Sequence, residues 1–108
     1  MSTLSNNNTD FDSAVKLIAD EYVINIVHKL QTKGMRFNEL QRSVTDICPA
    51  TLTDRLKRLE SENIVTRKEE TVDKVSVVYE LTKKGRGILP IIKAINTFAV
   101  EYENKSSV

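Results

Sequence analysis

The chain has 108 residues, 40% hydrophobic and 29% charged, with a formal net charge of +1; this is one globular domain whose core needs no disulfide or metal. Its single cysteine, Cys48, excludes an intramolecular disulfide. The polar N-terminus has neither the basic nor the apolar region of a secretory signal, and no apolar run approaches the roughly 20 residues of a bilayer span, so a soluble cytoplasmic protein with no membrane partner is expected.

Residues 1–9 are polar and rich in Asn, Ser and Thr, and the composition predicts a disordered tail ahead of a domain over residues 10–108. Helical periodicity begins near Phe11, with Phe11, Ala14, Val15 and Ile18 on one stripe and Asp10 or Asp12 as a cap. After Asp20, Val23, Ile26, Val27 and Leu30 repeat at helical spacing, and Lys33-Gly34 reads as a basic last turn with a glycine beyond it. A short helix follows from about Phe37 to Val44, broken at Thr45-Asp46. Cys48-Pro49 then opens a helix in which Leu52, Leu56 and Leu59 face inward, closing at Asn63.

There the apolar period changes to two. Ile64 to about Glu70 and Val75 to Leu81 read as strands, joined by the polar tip Thr71-Val72-Asp73-Lys74. Thr82 caps a last helix to about Glu103, with Ile88, Ile91, Ile92, Ile95, Phe98, Ala99 and Tyr102 on one face and a bend at Pro90. Two helices joined by a tight turn and followed by a hairpin describe a winged helix-turn-helix. The expected class is α+β, mainly α, with a two-stranded wing and extra N- and C-terminal helices.

Positive charge gathers in the middle third, where residues 33–68 carry eight basic and five acidic side chains. A helix that reads DNA turns its apolar side to its own domain and sends short polar and basic side chains into a groove about 12 Å wide. With the three leucines inward, Ala50, Asp54 and Lys57 point outward, Thr51, Thr53 and Arg58 flank them, and Arg55 lies nearer the edge. The same periodicity describes the solvated face of an ordinary amphipathic helix, so the pattern alone leaves both readings open.

Arg36-Phe37-Asn38-Glu39-Leu40, then Leu52-Thr53-x-Arg55-Leu56-Lys57-x-Leu59-Glu60, then Tyr79-x-Leu81-Thr82-x-x-Gly85 together resemble the HxlR-type winged-helix transcriptional regulators over residues 11–102. The resemblance implies a dimeric DNA-binding regulator with the helix from Pro49 as recognition helix, the hairpin as wing and the terminal helices as dimerisation elements. The candidate DNA contacts are Arg36, Asn38, Pro49, Ala50, Thr51, Thr53, Asp54, Arg55, Lys57, Arg58 and, at the wing tip, Lys74. The chain departs from the family in carrying Glu21-Tyr22 where a Lys-Trp pair is usual and Asn63 where glycine is usual. Its wing is also acidic at Glu69, Glu70 and Asp73.

A surplus of apolar surface points separately to a dimer. The stripes through Phe11, Val15 and Ile18 and through Ile91, Ile95, Phe98, Ala99 and Tyr102 exceed what one small core absorbs. A twofold axis joining them sets two recognition helices roughly 34 Å apart, matched to an inverted-repeat operator. The rival is a winged-helix module for protein–protein contacts, which the acidic wing and near-zero net charge favour.

Cys48 stands at a helix N-cap where the family commonly has serine, and is read as a small tolerated residue rather than a thiol switch. His28, the only histidine, lacks the partners of a transition-metal site, so no metal is expected. The glycines at 85 and 87 fit no phosphate-loop spacing. No catalytic constellation is present, and neither enzymatic activity nor a cofactor is expected. No small-molecule effector is identified.

Overall fold

The computed structural model describes residues 2–71 and 75–103. Their order is α1 (Ser2–Ile18), α2 (Glu21–Lys29), β1 (Met35–Arg36), α3 (Phe37–Ser43), α4 (Pro49–Ser61), β2 (Val65–Thr71), β3 (Val75–Leu81), α5 (Lys83–Arg86) and α6 (Leu89–Phe98), with a π-helical turn over Ala99–Glu103. Helices α2, α3 and α4 make the trihelical unit, and β2–β3 make the hairpin.

Asp20 starts the unit. Its carboxylate Oδ1 accepts from the backbone N–H of Tyr22 at 2.9 Å and of Val23 at 3.2 Å, satisfying two donors that the first turn of α2 leaves open. The inward stripe of α2 is Val23, Ile26 and Val27, all fully buried, and it meets Leu40 of α3 and Leu52, Leu56 and Leu59 of α4. Between α3 and α4 the chain turns at Asp46, whose φ of 61° is a left-handed value that a short polar side chain tolerates.

The end of α4 is a Schellman motif. Asn63 takes φ 62°; the Ile64 N–H bonds the Leu59 carbonyl at 2.8 Å and the Asn63 N–H bonds that of Glu60 at 3.0 Å. Ile64 and Leu59, the pair such motifs bring together, are both buried. Asn63 is also the residue at which the sequence places the close of this helix.

Beyond Leu81 the chain is stitched back to this corner. The Thr82 N–H bonds the Ile64 carbonyl at 3.0 Å, and its hydroxyl donates to the Asn63 carbonyl while accepting from the Gly85 N–H at 2.9 Å. A Cβ at Gly85 would run into the Ile64 carbonyl oxygen. The Thr82-x-x-Gly85 spacing therefore holds the hairpin, α5 and the end of α4 in one arrangement.

Four boundaries differ from the sequence reading. Helix α1 runs from Ser2, so it takes in the polar residues expected to form a tail, and Asp10 and Asp12 lie inside it rather than capping it; extending an existing helix adds one hydrogen bond per ordered residue, which polar composition does not forbid. Helix α2 stops at Lys29 with Leu30 as its C-cap, because the chain must turn to lay β1 beside β3, Met35 opposite Tyr79. Gly34 has no positive φ; its role is close approach, since a Cβ there would lie 2.7 Å from side-chain atoms of Val78 and Glu80. That pairing makes the sheet three-stranded, in the order β1-β3-β2.

The fourth difference is a break at Gly87-Ile88 in place of one bent C-terminal helix. Pro90 has no N–H and its ring crowds the carbonyl four residues back, at Arg86, where α5 ends. The single apolar face expected there also divides. Ile88 and Ile92 enter the core, whereas Ile91, Ile95, Phe98 and Tyr102 are exposed.

Candidate nucleic-acid interface

Helix α4 separates its residues by role. Leu52, Leu56 and Leu59 are buried, and Pro49, Ala50, Thr53, Asp54 and Lys57 stand on the opposite side, exposed and bordering a shallow depression of about 500 Å³. Proline at the first helical position leaves no orphan N–H there. Its lining is small at Pro49 and Ala50 and carries one acid, Asp54, and one base, Lys57.

The two arginines of this helix are placed differently from Lys57. Arg55 is half-buried, and its Nε donates to Asp20 Oδ2 at 2.8 Å while Nη1 donates to Asp54 Oδ2 at 2.8 Å. Its guanidinium also lies over the Tyr22 ring, 5.7 Å from the centroid. Arg58 donates to Glu62 at 3.1 Å and comes within 4.0 Å of Asp20. Asp20 thus caps α2 with one oxygen and anchors α4 with the other. The sequence reading assigns Asp20 no role; an Asp just ahead of an apolar helical stripe is the signal that could find the cap, whereas its bond to a residue 35 positions away carries no local signal.

Thr51 is also turned to the helix edge, its hydroxyl 3.2 Å from Cys48 Sγ. Hydrogen bonding to Thr51, first through its side chain and then its backbone, holds the exposed Cys48 thiol below its ordinary pKa. Arg36 and Asn38 are exposed where α3 begins, and the Arg36 N–H donates to the Glu39 carboxylate at 2.8 Å. That bond, ahead of opposing burial and the charges of Lys33, Arg36 and Arg42, keeps Glu39 ionised below its usual range.

On the hairpin, basic side chains meet acids. Lys68 pairs with Glu80 at 3.1 Å and Arg67 approaches Glu69 at 3.7 Å. Lys74 lies outside the described residues. Of the candidate dimer residues, Phe11, Val15, Ile91, Ile95, Phe98 and Tyr102 are exposed, while Ile18 and Ala99 are half-buried. The Phe98 and Tyr102 rings pack in a tilted arrangement, with centroids 5.1 Å apart and 37° between their planes. Val100, absent from the sequence reading, is as exposed as they are.

A trihelical unit with an outward polar face on its last helix and a hairpin stitched behind it defines a winged helix-turn-helix protein. The HxlR-like helix-turn-helix family model matches residues 17–107, and the chain belongs to that family of transcriptional regulators. It is 32% identical over 96 residues to the HTH-type transcriptional regulator YvaP of Bacillus subtilis, covering 89% of each chain. It is 30% identical over 91 residues to YodB of the same organism, covering 84% of this chain and 81% of YodB. The solved structure of reduced YodB superposes with a TM-score of 0.79 at 29% identity, covering 86% of this chain and 91% of that one. Among the described residues no helix is long and apolar enough to cross a membrane.

Proposed function

We propose that this protein binds duplex DNA through the outward face of α4 and regulates transcription as a homodimer on an inverted-repeat operator. The observation that carries the reading is the contiguous surface of Pro49, Ala50, Thr53, Asp54 and Lys57, exposed and free of core packing. In a major groove, Ala50 and Thr53 suit thymine methyl groups, Asp54 accepts from a cytosine amino group, and Lys57 reaches a phosphate or guanine. In this reading Arg55, bonded to Asp20 at 2.8 Å, positions α4 rather than reading a base. Exposed Phe11, Val15, Ile95, Phe98 and Tyr102 supply an apolar surface that a second copy of the chain would cover.

The decisive experiment is gel shift with the DNA upstream of the gene, repeated over several salt concentrations. A specific shift whose affinity falls steeply with salt is expected, because neutralised phosphates release counterions. The acid-paired wing cations favour a second reading, a protein–protein module; a salt-independent or sequence-indifferent response would select it.

A further inference from the structure

Helix α6 has two usable sides. One carries the exposed apolar stripe Ile91, Ile95, Phe98 and, past the helix end, Tyr102. The other faces the end of α2, and between them lies an open-sided cleft of about 600 Å³, a volume typical of small-molecule sites. Its walls are His28 and Gln31 from the end of α2 and Arg86 from the end of α5. The buried Ile92 and half-buried Leu89 form its apolar floor, and exposed Lys93 stands at the rim.

The charge of this cleft is one-sided. Arg86 and Lys93 line it, and among the described residues neither is paired with a carboxylate. Lys93 and Asn96 are shared with a neighbouring depression that Glu101 also lines, but no ion pair joins Glu101 to Lys93. Arg86 Nη1 donates to the Gln31 carbonyl at 3.3 Å, which ties the end of α5 to the segment just past α2 and leaves its other donors for a ligand. A planar guanidinium matches a carboxylate in two hydrogen bonds, and a nearby ammonium adds charge.

We propose that this cleft binds a small organic carboxylate with an apolar body, its carboxylate between Arg86 and Lys93 and its body on Leu89 and Ile92. Taking the dimer from the functional reading above, the cleft lies on the side of α6 away from the apolar stripe, so a ligand and a partner chain do not compete. A DNA phosphate is a poor occupant. The cleft adjoins the C-terminal end of α2, whereas the other end of that helix, at Asp20, meets α4.

The test is titration of the full chain, without DNA, with benzoate, benzyl alcohol and inorganic phosphate, followed by amide proton–nitrogen correlation spectra. Benzoate is expected to give saturable shifts centred on Gln31, Arg86, Leu89 and Asn96, with benzyl alcohol and phosphate each at least about tenfold weaker, since one lacks the charge and the other the apolar body. Lys93→Gln, at an exposed position, should weaken benzoate by about fivefold or more with the remaining spectrum unchanged. No saturation at tens of millimolar benzoate, an equal response to benzyl alcohol or to phosphate, or shifts centred elsewhere would overturn the proposal. So would a lower salt slope of DNA binding in Lys93→Gln, which would place the cleft cations on phosphate. Because the titration contains no DNA, its failure leaves operator binding standing, and failure of the gel shift leaves the cleft standing.

Discussion

Asp20 shows how one side chain joins local and tertiary structure. Its two oxygens cap α2 and hold Arg55, so Arg55 and Lys57, two positions apart on α4, should respond differently to truncation. Lys57→Ala should weaken operator binding by about 1–3 kcal/mol if it contacts a guanine, with the melting temperature unchanged. Arg55→Ala should lower the melting temperature as well, because it leaves a half-buried carboxylate without its partner. Calorimetric melting beside a binding titration separates the two; equal thermal stability in both variants would remove the anchoring role. Gly85 supplies a second residue-level case. Gly85→Ala should cost at least about 2 kcal/mol in urea unfolding, because the added methyl meets a backbone carbonyl with no flexible chain to move aside. An unfolding midpoint equal to wild type would show that the α4–α5 corner yields.

At the scale of elements, the wing is where charge and geometry pull apart. Strand β3 lies between β1 and β2, and the hairpin register sets Thr66 opposite Glu80 and Lys68 opposite Val78. Lys68 and Glu80 are thus diagonal neighbours on one face, close enough to pair. A wing cation held by an acid is a weak phosphate ligand. Glu80→Gln should release Lys68 and, if the wing lies along DNA, steepen the salt dependence by about one unit in the log–log slope. An unchanged slope in Glu80→Gln would place the wing away from the duplex.

For the whole molecule, the question is what covers the apolar stripe of α6 and the exposed Phe11 and Val15. In a single chain Ile95 and Phe98 contribute little to the core, so replacing both should leave the trihelical unit folded while abolishing self-association. Ile95→Asp with Phe98→Asp is therefore expected to sediment as a monomer with near-native secondary structure and to lose most operator affinity, since two half-sites must be occupied together. A wild-type monomer at micromolar concentration, or a double variant that still dimerises, would defeat the homodimer.

Features that repeat locally can be read directly from the order of residues. The leucine stripe of α4, its proline start and left-handed Asn63, the period-two strands and the Thr82 cap are each written within a few neighbouring residues, and the outward set Ala50, Asp54 and Lys57 follows from the same helical projection. Contacts between residues far apart in the chain decided the rest. Gly34 reads locally as a helix stop, but α2 ends sooner because β1 must reach β3. Arg55 reads as a free cation near the helix edge, but Asp20, held in place by its own capping bonds, takes it. The stripe of α6 reads as one face, but only Ile88 and Ile92 come within reach of the core. Periodicity records which side of an element is apolar. Only packing decides how much of that side a neighbour covers and which charge finds an opposite one.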